Sequence, residues 1–423
     1  MLKHILSLAL LIASSSAQAP QVTLDYGTFV GSKDNNTGTI AYRGVRYAEA
    51  PVGNLRFRAA VSPPSKDLGV VDATQFGDTC IQNSQVAEGS SEDCLFGNIY
   101  IPASAVSESL PVLVWFHGGG FISGSSRDAD PTQLFATTKE PFVFVSFQYR
   151  LGPFGFLGGS SVKADGQLNA GLQDQRTAMR WVQRYIGKFG GDPSKVTIWG
   201  QSAGAGSTMF HLLANNGDSE GLFRAAMGDS PSLSFTPPSD GDYIQSVFDD
   251  IVSNSGCDDA YDAATLDCLR TVDTATIASA GQGVLAARPA ILYVFAPQLD
   301  GKFITTRPVE GFTEGKFAQV PILFGANSNE GANWSNRLTD PNANTSMPNA
   351  TENTVYNFLK GQYATFTRDS FENARALYPL EDYNNSFSLQ GQQMYGETRY
   401  ICTASLMTGG AASKSPMKAF QYQ

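Results

Sequence analysis

Histidine is the scarcest useful residue here: there are three in 423 residues, at positions 4, 117 and 211, so a reaction that needs an imidazole has few places to find one. Positive charge is also in short supply. Lysine and arginine number 29 against 39 aspartates and glutamates, a net charge of −10. That balance leaves no basic face to neutralise phosphates or anionic headgroups, which disfavours nucleic-acid binding and electrostatic docking on membranes and makes an uncharged small molecule the easier partner. No apolar run reaches the roughly 20 residues of a membrane span. Cysteines number five, so pairing in an oxidising compartment leaves one over.

Residues 1–19 read as a signal peptide: Lys3 gives the positive start, Ile5 to Ala13 the apolar run, and Ala17-Gln18-Ala19 the cleavage site. A secreted, extracellular chain follows. Sequons at Asn35, Asn333, Asn344, Asn349 and Asn384 fit a glycosylated surface. With 42% apolar residues, residues 20–423 can bury a sizeable core and are read as one α/β domain.

Val112 to Phe116 and Phe142 to Phe147 are apolar, β-rich and spaced as neighbouring parallel strands, each ending in loop residues. From Gly171 to Phe189 apolar residues recur at three and four, the stripe of a helix on a sheet, and Gly190-Gly191-Asp192-Pro193 is read as its stop. Lys195 to Trp199 and Val320 to Phe324 read as further strands. This order predicts a central, mostly parallel sheet flanked by helices. Residues 231–290 are expected to form cap-like insertions over the sheet, and residues 340–352, rich in Asn, Pro and Thr, an exposed loop.

Gly200-Gln201-Ser202-Ala203-Gly204 fits G-x-S-x-G, in which glycines let a serine occupy a strained turn that lifts its hydroxyl clear of the sheet. The pentapeptide alone is a weak signal, but here it lies between a short strand and a helix, as that turn requires. His117-Gly118-Gly119-Gly120-Phe121 follows an upstream strand, and its glycines allow backbone N–H groups to approach a developing oxyanion. Together the two segments form the arrangement of esterases and lipases in which the residue after the nucleophile, here Ala203, supplies a further donor.

At this point the chain resembles the type-B carboxylesterase/lipase family of the α/β-hydrolase fold. The likeness is carried by Gly44-Val45-Arg46-Tyr47-Ala48, Glu92-Asp93-Cys94-Leu95, His117 to Phe121, Asn169 to Gln175, the Ser202 pentapeptide and Asn327 to Gly331. The resemblance implies hydrolysis of a small-molecule carboxylic ester through a serine acyl-enzyme, with Ser202 as nucleophile, Glu330 as triad acid, and Gly119, Gly120 and Ala203 as oxyanion donors. It implies no metal and no organic cofactor, and leaves the oligomeric state open. Asp300, the nearest rival to Glu330, reads as a structural turn. By the same resemblance Cys80 pairs with Cys94 and Cys257 with Cys268, while Arg56–Glu92 and Arg150–Asp174 are structural ion pairs. The short segment between Cys80 and Cys94 holds no Trp, which turns the expectation away from choline esters and long acyl chains towards smaller soluble esters.

The triad lacks a visible base. His4 falls in the signal peptide; His211, nine residues past Ser202 on one helix, sits roughly 13 Å away at 1.5 Å per residue; His117 belongs to the oxyanion loop. In the family the catalytic histidine follows a strand resembling Met417 to Tyr422, where this sequence stops. The expectation is therefore of a chain whose C-terminal part, with its histidine, is missing. Cys402 is either the unmatched partner of a later cysteine or a buried free thiol. The rival functional readings are a non-catalytic binding or adhesion protein on the same fold, and an inactive truncated product.

Overall fold

A computed structural model describes residues 19–105, 109–258 and 263–423, so the signal-peptide reading lies almost wholly outside the described residues. The main sheet has nine strands. In chain order these are β1 (Ser32–Asp34), β2 (Thr39–Arg46), β3 (Phe96–Pro102), β4 (Leu110–Phe116), β5 (Val143–Phe147), β6 (Gly191–Gly200), β7 (Ala225–Asp229), β8 (Ile322–Gly325) and β9 (Ala419–Tyr422). Their spatial order is β9-β8-β7-β6-β4-β5-β3-β2-β1. The strands from β9 to β5 pair in parallel, and β3, β2 and β1 add an antiparallel margin.

The alternation along β4 explains its place. Leu110, Val112, Val114 and Phe116 point into the large core, while Leu113 and Trp115 join Phe135, Phe142 and Trp199 on the opposite face. β5 is buried on both faces along its whole length, as a central parallel strand should be. Helix α1 (Ala170–Tyr185) lays its apolar stripe on the sheet, and its Trp181 indole donates to the Tyr26 hydroxyl at 2.8 Å. Helix α2 (Ala203–Gly217) follows β6 directly.

One expectation is extended and one corrected. The helix stops at Gly190, a left-handed cap with φ 82°, as read, but from Gly191 the stretch is already the start of β6: Gly191 pairs with Leu110, and regular pairing resumes at Val196 opposite Val112. The intervening residues bulge because Pro193 has no N–H to give the ladder and Asp192 Oδ1 takes the Ser194 N–H in a local turn. The loop at 340–352 is irregular as expected, but its centre is not exposed: Ala343, Asn344 and Thr345 are buried. Ala343 belongs to a second hydrophobic core with Leu338, Val355, Phe358, Phe371, Met394, Tyr395 and Tyr400.

That second core is assembled by α6 (Glu352–Gln362), α7 (Phe387–Gly396) and a π-helical turn, Glu397–Ile401, that joins α7 to α8 (Cys402–Lys414) once the inserted helices α3 (Asp242–Asn254), α4 (Ala263–Thr271) and α5 (Thr274–Ala286) are counted. Arg56 anchors the insertion, donating to the Leu269 and Val272 carbonyls at 2.8 and 2.6 Å while its other nitrogens grip Glu92. Disulfides close Cys80–Cys94 and Cys257–Cys268. Cys402 is a free thiol and is exposed, not buried. Phe420 and Tyr422 on the edge strand β9 are also exposed. Among the described residues no helix is long and apolar enough to cross a membrane, and no group of three or more His, Cys, Asp or Glu side chains is placed to hold a metal ion.

Candidate active site

The parallel registers set Phe116 level with Phe147 and Gly200, and carry Asp229 opposite Gly325. The loops leaving β4, β6, β7 and β8 therefore emerge along one edge of the sheet, the carboxyl edge, where ligands of open α/β sheets bind. One pocket of about 550 Å³ lies there, and its wall includes Gly119, Gly120, Ser202, Ser230 and Glu330.

Ser202 occupies a strained turn, with φ 58° and ψ −120°. The strain is held by backbone on both sides: the Ser202 N–H donates to the Asp229 carbonyl at 2.9 Å, and its carbonyl accepts from Gly206 N–H at 2.8 Å. The flanking glycines are steric requirements. A Cβ on Gly204 would stand 2.0 Å from the Phe116 carbonyl oxygen, and one on Gly200 would stand 2.3 Å from the Gly204 carbonyl carbon. The turn can exist only if β4, β6 and the start of α2 close on one another without side chains.

The loop after β4 is shaped the same way. Gly119 and Gly120 have φ of 104° and 66°, and a Cβ on either would collide, with Ser123 backbone in one case and the Tyr293 ring in the other. The backbone N–H groups of Gly119, Gly120 and Ala203 have no acceptor among the described residues; Gly119 and Gly120 border the pocket, and Ala203 directly follows Ser202 in its wall. His117 supports this loop from behind. It stacks on Tyr149 with ring centroids 4.2 Å apart, its Nδ1 meets the Gly118 carbonyl at 2.9 Å, and Tyr149 donates to the His117 carbonyl at 2.7 Å. Burial drives the His117 pKa down to about 4, so the ring is neutral at neutral pH.

His211 is fully buried on α2, its Nε2 against the Gln175 amide oxygen at 2.9 Å and its ring between Phe116 and Phe303. Neither described histidine lines the pocket. The base that would take the Ser202 proton is thus not among the described side chains of the site.

Glu330 follows β8 and is held by one oxygen. Its Oε1 accepts from Ser230 Oγ at 2.5 Å, from Asn327 N–H at 2.7 Å and from the Asn327 amide at 3.3 Å, leaving Oε2 without a partner among the described residues. Its carbonyl takes the Trp334 indole N–H at 2.7 Å. Asp300 lies outside this pocket, capping its own turn: Oδ1 accepts from the N–H groups of Lys302, Phe303 and Ile304. Arg56–Glu92 and Arg150–Asp174 are both buried, two-pronged pairs.

Sequence reasoning passed over Ser230 and the far wall. Ser230 had only its place directly after a parallel strand to mark it. Tyr293 and Trp334, with Arg288 and Arg337 at the pocket, come from loops and short turns that no periodicity identifies, and Tyr400 from the π-helical turn before α8.

The profile of the Carboxylesterase family matches residues 18–423. Lipase 4 of Diutina rugosa is 37% identical over 360 residues, covering 77% of this chain and 65% of the lipase. Pyrethroid hydrolase Ces2a of Mus musculus is 37% identical over 318 residues, covering 72% of this chain and 54% of the mouse protein. The chain thus spans less than two thirds of the length of these relatives. Among solved structures, EstA of Aspergillus niger superposes with a TM-score of 0.84 at 32% identity, covering 96% of this chain and 77% of that one. Sheet order, the turn at Ser202 and the sequence match agree: the chain belongs to the carboxylesterase family, on the α/β-hydrolase fold.

Proposed function

We propose that the protein is a secreted carboxylic-ester hydrolase that works through an acyl-enzyme on Ser202. One observation carries the reading: the strained serine, the Gly119 and Gly120 N–H groups without acceptors and a carboxylate with one free oxygen all border one pocket, with the Ala203 N–H directly after the serine. In this reading Ser202 Oγ attacks the ester carbonyl carbon while the Gly119, Gly120 and Ala203 amides stabilise the oxyanion. The alcohol leaves with a proton, and water then releases the acid from Ser202. Glu330 Oε2 would orient and charge-stabilise the base, an imidazole in this chemistry.

Secretion is supported by the two disulfides, which persist in oxidising compartments. Asn35, Asn333, Asn349 and Asn384 are exposed and open to glycosylation, whereas Asn344 is buried with its Oδ1 taken by Ser346, and we assign it no glycan. The disulfide-closed loop after Cys80 brings Asn83 to the pocket wall, which favours smaller soluble esters.

The test is covalent labelling of the protein from its natural source with an alkyl organophosphonate, read by peptide mass. An adduct on Ser202 that disappears in Ser202→Ala is expected. An inert Ser202 in folded protein overturns the proposal.

A further inference from the structure

Behind the pocket wall lies a second cavity of about 160 Å³, which shares Ile291 and Tyr293 with the first. Tyr293 stands between the two centres of interest. Its ring packs against the oxyanion loop so closely that Gly120 admits no Cβ, and the Arg399 guanidinium lies over the same ring at 4.7 Å from its centroid.

The charge in this second cavity is unusual for a protein of net charge −10. Its wall contains Arg399 and Lys360 and no aspartate or glutamate. Arg399 is 3% exposed, makes no ion pair among the described residues, and its buried Nε has no hydrogen-bond partner. Its neighbours are the rings of Tyr293, Tyr395 and Tyr400. The adjacent acid, Glu397, is engaged instead by Tyr378 and Gln393. Lys360 Nζ donates to the Ala364 carbonyl and pairs with no carboxylate among the described residues. A buried guanidinium normally sits opposite a carboxylate, because aromatic faces offset only part of its desolvation.

We propose that this second cavity is a carboxylate-binding subsite: the preferred ester carries a carboxylate on the arm that runs past Tyr293, and Arg399 receives it, with Lys360 at the rim. The proposal rests on the ester-hydrolysis reading for its substrate, but its binding chemistry does not need turnover. Arg399 supplies planar N–H donors to a carboxylate, and the site rewards an anion that reaches its buried guanidinium. The acidic exterior would then repel the substrate class that the interior selects, so affinity comes from the buried contact and not from long-range attraction.

The test compares matched esters on the protein from its natural source. Mono-4-nitrophenyl adipate against 4-nitrophenyl hexanoate places the carboxylate on the acyl arm. The hexanoate ester of 6-hydroxyhexanoic acid against hexyl hexanoate places it on the alcohol arm. In one of the two pairs the anionic ester is expected to show about tenfold higher kcat/KM. Arg399→Gln should erase that advantage while leaving the neutral ester's rate, and Arg399→Lys should retain part of it. Turnover of neutral esters with no anionic preference in either pair overturns the subsite and leaves ester hydrolysis standing. If no ester is turned over, titration calorimetry with adipate decides. Binding that weakens about tenfold in Arg399→Gln, or in Lys360→Gln if the former does not fold, sustains the subsite without the hydrolase; absence of binding overturns it.

Discussion

Ser202 and Arg399 face related spaces from opposite kinds of structure. Around Ser202, backbone crowds backbone: at Gly200, Gly204 and Gly119 the nearest carbonyl group would stand 2.0 to 2.3 Å from an added Cβ. Around Arg399, side chains crowd side chains: Tyr293, Tyr395 and Tyr400 close on a guanidinium, and the hydroxyl of Tyr395 has no partner. The first region derives its geometry from strand ends locked in register. The second derives its geometry from helices that pack a small core of their own. A region held by backbone tolerates no added atom but can lose a hydroxyl without unfolding, whereas a region held by side chains can be repacked and owes its specificity to which side chains are present.

Ser202→Ala is the sharpest use of that contrast. Loss of the nucleophile is expected to lower kcat on the order of 10⁶-fold, with a melting temperature equal to wild type, since no side-chain hydrogen bond of Ser202 is lost. Esterase assay and calorimetry on the same preparation check both halves. Glu330→Gln comes next, at roughly 10⁴-fold in kcat. Ser230 and Asn327 hold Oε1 in either case, so folding should be retained and the labelling rate of Ser202 is the informative readout.

Gly204→Ala tests the backbone region by addition. The new Cβ meets the Phe116 carbonyl at 2.0 Å, and neither strand can move without breaking register, so a destabilisation of about 3 kcal/mol is expected in denaturant titration. A shift below 1 kcal/mol would mean that the turn is far softer than its contacts imply.

Acid stability probes the support behind the oxyanion loop. Burial lowers the His117 pKa from 6.5 to about 4. The unfolded chain takes up its proton as pH falls through 6.5 while the folded chain refuses it. Stability is therefore fully present above pH 6.5 and drains as pH falls through 4, by about 3 kcal/mol from this residue. His211 is displaced in the same direction by burial and acts in the same sense. Unfolding free energy measured between pH 7 and pH 4 should fall less steeply in His117→Asn than in wild type.

Tyr395→Phe should have the smallest effect, within about 1 kcal/mol and on the stabilising side, because it removes a buried hydroxyl that has no partner and leaves the ring. A loss above 2 kcal/mol would show that the helical wall is as exacting as the sheet edge.

Legibility followed the same division. The segments around Ser202 and Gly119 announce themselves because close backbone approach demands glycine at fixed spacing, and the strands that lead into them announce themselves as short apolar, β-rich runs. The register that brings Ser230 beside Glu330, 100 positions apart in the chain, leaves no local trace. Nor does the burial of Ala343 within a polar loop, which depends on a core formed by helices further along the sequence. The helix stop at Gly190 was legible, but not that a strand opens one residue later, because Gly191 has Leu110 to pair with.

By itself the sequence determined the sheet-forming runs, the turn that lifts Ser202, the glycine loop that follows β4, and a surface dominated by negative charge, since each is set by residue type at short spacing. Only the tertiary structure decided which amides remain without acceptors, which oxygen of Glu330 stays free, and that a cationic side chain, Arg399, is buried behind Tyr293 with no acid opposite. Those depend on distances between segments far apart in the chain, and such distances exist only once the sheet and its helical wall have closed on each other.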